Sequence, residues 1–275
     1  MATPRRAGTD YAFGHSDDET QRLLRQGRLF NPTTRHFFAQ AGIGPGMRVL
    51  DVGSGAGDVA LLLAELVGTA GRVVGVDTSP DVLRTAEARV RAARLENVTF
   101  LAGDINDLAL AGDFDAVAGR CVLVHNPNPA ATLRTAAGHA RPGGVIAFQE
   151  PAHAALPPTA APPSPLLERA WGWILEAQRR AGLRMGLRLF EIFLDAGLPA
   201  PEMGLHTAAG GGPEWAGYDY VASHLRITLP LIVRHGVATA DEVGIDTFAE
   251  RLRAEVTGQR GAMTTWGFIA AWTRK

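Results

Sequence analysis

Short apolar runs alternate with longer amphipathic stretches through the first 150 residues. That alternation predicts a parallel sheet covered by helices on both faces. The runs are Arg48–Val52, "GRVVGVD" at 71–77, "NVTFLAGD" at 97–104, "FDAVAGR" at 114–120 and "GGVIAFQE" at 143–150. Each has the length of a buried strand. Between them, residues 58–68, 79 to about 95, and 128–140 read as helices. Ser79-Pro80 opens the second of these, with proline where a first turn has no hydrogen bond to lose. Ahead of the first strand, residues 16–41 read as helix. Ser16 followed by Glu19 is a capping-box pattern. Leu23, Leu24, Phe30, Phe37 and Phe38 supply apolar faces around an expected break at Asn31-Pro32.

The rhythm changes after Glu150. "HAALPPTAAPPSP" is rich in proline and alanine and reads as a stiff, extended connection. "LLERAWGWILEAQRRAG" follows as a helix carrying Trp171 and Trp173, and residues 186–196 as another. Glu202–Ala208 reads as a sixth strand. A glycine-rich loop, "GGGPEWAGYDY", leads into helices at about 216–235 and 241–257. "AMTTWGFIAAWTRK" closes the chain as one strand, and no internal repeat is visible. The predicted organisation is a helical N-terminal cap over 1–46 and an α/β core over 47–150. Lid helices with the sixth strand occupy 151–260, and a closing strand 261–275.

Candidate chemistry centres on "VLDVGSGAGDVALLLA", 49–64, where Gly53, Gly55 and Gly57 stand between an apolar strand and an apolar helix. Such a turn suits an anion or a dinucleotide: the helix N-terminus offers free N–H groups, and glycine admits close approach. The glycines can also simply serve a tight turn. Asp77 ends the second strand, with Thr78 beside it, where a carboxylate accepts hydrogen bonds from ribose hydroxyls. Asp104 ends the third, where a carboxylate can meet an adenine amino group. The dinucleotide fingerprint G-x-G-x-x-G fails, because Asp58 stands at its sixth place and an acid opposes a pyrophosphate. Asp51, just before the turn, suits a cationic ligand part. S-adenosylmethionine carries an ammonium and a sulfonium, and it fits this acidic surround better than NAD.

Residues 47–150 resemble a class I S-adenosylmethionine-dependent methyltransferase. "VLDVGSGAG" is similar to its first motif, "VVGVDTSP" to its acidic second-strand motif, "GDI" to its adenine motif and "RPGGVIAFQE" to its fifth-strand motif. The stretch "YAFGHSDDETQRLLRQGRLF" is similar to the cap of the ubiquinone-methyltransferase-like, small-molecule branch. The resemblance implies a Rossmann-like α/β fold: a seven-stranded, mostly parallel sheet whose last strand is antiparallel, matched by residues 262–273. It implies that Gly53, Gly55 and Gly57 support the methionine part and that Asp77 binds ribose. Asp104 and Ile105 would flank adenine, and Arg120 would lie beside the methionine end. Tyr11 either closes over the cofactor or packs the N-terminal arm. S-adenosyl-L-homocysteine is the implied product, and no metal is implied.

Composition narrows the acceptor. Over 275 residues, 27 Lys plus Arg nearly balance 28 Asp plus Glu, without a long single-sign block. That argues against nucleic acid or an anionic membrane as partner. Base-flipping amino-methyltransferases resemble one another in a D/N-P-P-Y/F stretch after strand four; here "HNPNPA", 125–130, displaces the second proline and lacks the aromatic. Cys121, the single cysteine, permits no internal disulfide, and no signal peptide or membrane span is visible. A soluble, cytoplasmic protein is expected, with oligomeric state unread. Trp171, Trp173 and Trp215 suit either a lid over an apolar or aromatic small molecule or ordinary helix packing. His125 follows strand four, on the side where strand ends face a ligand. It is the candidate general base for a hydroxyl acceptor, or else a loop-packing residue. Glu150 ends strand five, where it can orient His125, bind substrate or face solvent. His153 lies on the lid connection without other support. N- or C-methylation by proximity, a non-catalytic cofactor-binding regulator and a nucleotide-dependent oxidoreductase are the alternatives.

Overall fold

Five strands take the places their apolar runs predict: β1 (Arg48–Val52), β2 (Arg72–Asp77), β3 (Val98–Ala102), β4 (Phe114–Arg120) and β5 (Ala140–Pro151). The computed structural model describes residues 17–182 and 185–275. With β7 (Glu202–His206) and β10 (Phe268–Arg274) the strands form a seven-stranded sheet in the order β3-β2-β1-β4-β5-β10-β7. The first five pair in parallel, and β10 runs antiparallel between β5 and β7. The order reverses between β1 and β4, which opens a crevice beyond their carboxyl ends, the usual ligand position in such sheets. Phe268 stands opposite Pro151 on one side and His206 on the other.

Two apolar layers sandwich the sheet. On one face α1 (Asp17–Gln40), α2 (Asp58–Val67) and α3 (Pro80–Ala92) bury Phe37, Phe38, Leu63 and Val90 against Val49, Val73 and Trp272. On the other, α4 (Pro129–Gly138) and α6 (Arg188–Asp195) bury Leu133, Ile192 and Phe193 against Leu50, Val117 and Ile146. Ser79 caps α3 and Asn128 caps α4, each followed by a first-turn proline.

The expected break at Asn31-Pro32 is absent, and α1 runs through Pro32. A proline costs a helix interior roughly 3 kcal/mol. Phe30, Phe37 and Phe38 flank it fully buried, each worth roughly 1.5–3 kcal/mol, so packing outweighs the lost backbone bond. Thr33 Oγ1 also donates to Phe30 O at 2.9 Å, satisfying a carbonyl beside the proline.

A third layer covers the carboxyl ends of the strands. It contains α5 (Pro165–Arg180), α7 (Gly217–Arg234), α8 (Ala240–Val243) and α9 (Ile245–Gly258). A small antiparallel sheet of β6 (Ala160–Ala161), β9 (Ala262–Thr264) and β8 (Ala209–Gly211) joins them. The chain end, expected as a single strand, is thus two strands in different sheets. Between them Thr265–Gly267 leaves both ladders, and Trp266 enters the core of the cover at 1% exposure. It stacks on Trp171 at 5.3 Å and on Tyr220 at 4.4 Å between centroids. Burying that indole is worth more than the ladder bonds of an uninterrupted strand. No helix among the described residues is long and apolar enough to cross a membrane.

Candidate functional site

The glycine turn leaves β1 and enters α2 with Gly53, Gly55 and Gly57 all at positive φ. Two of them answer first to the fold's own packing. A Cβ on Gly53 would stand 2.7 Å from Val122 Cγ2, and one on Gly57 would stand 3.0 Å from Ala86 Cβ. Gly53 is therefore where the turn after β1 touches the turn after β4. Asp77 stitches the same turn together. Its Oδ2 accepts from Gly55 N and its Oδ1 from Ser79 N, both at 2.9 Å. The carboxylate is only half buried, and each oxygen keeps a second lone pair. Thr78 is exposed beside it.

Beneath the turn, Asp51 is fully buried on β1. Neither carboxylate oxygen has a hydrogen-bond partner among the described residues; Ser54 Oγ donates to the Asp51 carbonyl instead. Burial pushes this carboxyl up to about 8, against the pull of the Arg120 guanidinium. A buried carboxylate without partners is costly, and a ligand cation reaching it removes that cost. Arg120, at the end of β4, donates to Asn31 Oδ1 at 3.0 Å and Thr34 Oγ1 at 3.1 Å. Thr34 in turn donates to Gln149 Oε1 at 2.7 Å. This chain of bonds fastens α1 over the end of the sheet beside Asp51.

Asp104 Oδ1 accepts from Asn106 N at 2.9 Å and Asn106 Nδ2 at 2.8 Å, a local turn; Ile105 beside it is buried. Asp58 carries less weight than its sequence position suggests. Arg89 Nη2 meets it at 2.8 Å, so the charge is balanced in place and says little about the ligand's charge. Tyr11 lies outside the described residues.

Glu150 neither faces solvent nor lines the cavity. It is fully buried at the end of β5, where Oε1 accepts from Val122 N and Leu123 N at 2.9 Å and Oε2 from Val124 N at 3.2 Å. Burial raises its carboxyl to about 7, and the three N–H groups pull the other way. Those N–H groups open the short 3-10 turn Leu123–His125, with Val122 as its capping residue. Glu150 is therefore a clamp on the backbone that presents His125.

His125 is half buried and lines a cavity of about 540 Å³ between the sheet ends and the cover. The loop after β4 gives Cys121 and Val124 to its wall, and the chain after β5 gives His153. Gln178 comes from α5, and Tyr220 and His224 from α7. A cavity of this size suits a drug-sized ligand. Trp171, Trp173 and Trp215 do not line it; Trp266 does. Trp171 packs behind Trp266, Trp215 packs on Tyr218 at 5.3 Å, and Trp173 lies near Arg169 at 5.9 Å. Sequence reasoning passed over His224, Gln178 and Trp266, which stand far apart in the chain and match no motif. Only His153 carried a signal, on the lid connection just past a strand end on the ligand side.

The chain is similar to known methyltransferases. A family described as "Methyltransferase domain" matches residues 43–179. The arsenite methyltransferase of Aquipseudomonas alcaligenes is 41% identical over 113 residues, 38% of this chain and 33% of that protein. The chain thus spans about a third of that relative's length. The trans-aconitate 2-methyltransferase of Azoarcus sp. is 30% identical over 177 residues, 58% of this chain and 68% of that protein. A solved SAM-dependent methyltransferase from Aquifex aeolicus shares the fold. Its TM-score is 0.51 at 21% identity, over 69% of this chain and 91% of that one. The orphaned Asp51 carboxylate under a glycine turn suits a ligand with an ammonium group, as S-adenosylmethionine has. With its sheet order, its four motifs and these relatives, the chain belongs to the class I S-adenosylmethionine-dependent methyltransferases, and S-adenosylmethionine is its cofactor.

Proposed function

We propose that this protein methylates a hydroxyl on a small, apolar or aromatic acceptor, with His125 as general base. The observation that carries the reading is the cavity of about 540 Å³ at the ends of β4 and β5, with His125 in its wall. S-adenosylmethionine would supply a methyl group on a sulfonium sulfur: the acceptor oxygen's lone pair forms the new C–O bond, and the electron pair of the broken C–S bond stays on the sulfur, which becomes a neutral thioether. Asp51 receives the ammonium, Gly53 and Gly55 lie along the methionine part, Asp77 takes the ribose hydroxyls, and Asp104 with Ile105 borders adenine. Arg120 lies beside the methionine end and holds α1 down there through its Nη1 bonds to Asn31 and Thr34.

The hydroxyl proton passes to the His125 imidazole. An imidazole titrates near neutral pH, so it can accept a proton as the oxygen attacks. Glu150 acts through backbone: by holding the N–H groups of residues 122–124, it fixes where the imidazole stands. Much of the rate follows from proximity and alignment.

The relatives differ in acceptor, arsenite for one and trans-aconitate for another, so they leave the acceptor open. The test incubates the protein with S-adenosylmethionine and a panel of aromatic hydroxyl compounds and reads a gain of one methyl by mass spectrometry. O-methylated product that vanishes in His125→Ala supports the reading. Methyl transfer only to amines or carbon, untouched by His125→Ala, refutes the hydroxyl assignment.

A further inference from the structure

Polar side chains interrupt the apolar layer between the sheet and α1. Asp51 pairs across the ladder with Ala118, and Arg120, two residues farther along β4, pairs with Gln149 on β5. Ladder partners, and alternate residues of one strand, share a face. Asp51, Arg120 and Gln149 therefore point the same way, into the layer where Phe37 and Phe38 of α1 pack with Val49, Ala118 and Ala147. Asp51 and Gln149 are both 0% exposed. Their Cα atoms stand two strands and two residues apart, roughly 12 Å at the usual spacings.

The bonds at this place decide which atoms are left over. An arginine only donates, so Thr34 Oγ1 accepts from Arg120 Nη1 at 3.1 Å and gives its own hydrogen to Gln149 Oε1 at 2.7 Å. The Gln149 amide is thereby set with Oε1 toward Thr34 and its NH2 group turned away. Gln149 Nε2 has no hydrogen-bond partner among the described residues, and neither has either carboxylate oxygen of Asp51. A buried donor and a buried acceptor left open are each costly to a fold. Arg120 stands between them on β4, and its Nη1 is engaged by two neutral oxygens, Asn31 Oδ1 and Thr34 Oγ1. A carboxylate at one end, and an amide donor beside a guanidinium charge at the other, match the two charges of an α-amino acid.

We propose that Gln149 Nε2 donates to the carboxylate of the cofactor's methionine part while Asp51 holds its ammonium. This rests on the place given above to the ammonium. Gln149 then serves two partners at once. Through Oε1 it takes the bond from α1, and through Nε2 it holds the cofactor. The bound carboxylate is tied through Gln149 and Thr34 to the helix that also brings Gln26 to the wall of the acceptor cavity. Such a pocket separates a whole adenosyl amino acid from an adenosyl thioether without the acid group, because a site built for a hydrogen-bonding group rejects ligands that lack it.

The experiment titrates the protein calorimetrically with S-adenosyl-L-homocysteine, its decarboxylated analogue and its deaminated analogue. The parent protein should bind the decarboxylated analogue about tenfold or more weakly than S-adenosyl-L-homocysteine, the loss of a bond to a charged group. In Gln149→Met, which keeps the length of the side chain without the donor, that ratio should shrink severalfold. The ratio of S-adenosyl-L-homocysteine to the deaminated analogue should stay as in the parent. A Gln149 that only packs, or only fastens α1, weakens all three ligands alike in the variant, and two unchanged ratios overturn the proposal. Gln149→Leu answers the same question if the Met variant does not fold. A parent protein that binds the decarboxylated analogue as tightly as S-adenosyl-L-homocysteine also overturns it and leaves the ammonium at Asp51 standing. A deaminated analogue that binds the parent undiminished sinks the place of the ammonium and this proposal with it.

Discussion

Asp51→Asn is the most informative single change, because it replaces a buried carboxylate by a group of the same shape. The Asp51 carboxyl stands at about 8 in the folded protein, against 3.8 for the ordinary group. Its folded value is raised, so folding takes up a proton between roughly pH 4 and 8. The associated stability is fully present below pH 4 and is lost as pH rises through about 8. Asp51→Asn should remove that share of the slope from the cofactor-free protein and leave it as stable or more so at pH 8. Binding runs the other way. At pH 7 only about one Asp51 in ten is ionised, given a value of about 8. A ligand ammonium favours the ionised form, so binding S-adenosylmethionine should release close to one proton. Affinity should climb between pH 5.5 and 7.5, below the range where the ligand's own amino group titrates, roughly 7.7–8.0. In Asp51→Asn the proton release should disappear, and affinity should fall about tenfold to a hundredfold, the loss of one bond between charged groups. Calorimetry in buffers of different ionisation heat measures the protons, and thermal melts across pH measure the slope. A variant that binds as tightly as the parent and releases the same number of protons refutes the place given to the ammonium.

Asp77→Ala removes bonds to Gly55 N and Ser79 N as well as the proposed ribose contacts. Cofactor affinity measured by calorimetry should drop at least about tenfold in a folded protein; an unchanged value places the ribose elsewhere. His125→Ala should slow turnover by about a hundredfold or more with cofactor binding unchanged, and His125→Asn should be nearly as slow, since asparagine takes no proton. An Asn variant that keeps most of its turnover makes His125 a positioning residue. Glu150→Gln leaves one of three N–H groups without an oxygen, which costs about 1–3 kcal/mol. The melting temperature should fall, with kcat reduced more than cofactor affinity; equal loss of both makes Glu150 a purely structural residue. Residues 151–182 should gain hydrogen-exchange protection when cofactor and acceptor are both present. Protection confined to 47–125 would mean that the cover does not respond to ligand.

Strands were the most legible part of the sequence. β1 and β4 have the bounds their apolar runs predict, because a strand buried on both faces must be apolar throughout. The glycine turn and its acids were equally legible as a motif, although packing against Val122 and Ala86 gives Gly53 and Gly57 a second reason to be glycine. Pro32 misled, since local propensity says nothing of the buried phenylalanines that hold α1 continuous. "AMTTWGFIAAWTRK" misled for a related reason: its β-forming residues do not reveal that Trp266 is needed in another layer. Glu150 could not be placed, because its partners are backbone groups of a turn that only the folded sheet brings near. His153, His224 and Gln178 were invisible as a group, since the two histidines stand 71 positions apart and no spacing rule links them.

Pro151, Phe268 and His206 form one row across three strands, and this row has a consequence for how such a protein can change. Both excursions that build the cover, one after Pro151 and one between His206 and Phe268, depart from or rejoin the sheet at that row. Neither inserts a strand among β1, β4 and β5, and neither supplies the glycine turn or the Glu150 clamp. The cover can therefore be lengthened, shortened or exchanged while the reacting frame keeps its register. In recombination terms, crossovers placed at this row should give chimeras that retain cofactor binding and inherit acceptor preference from the donor of the cover.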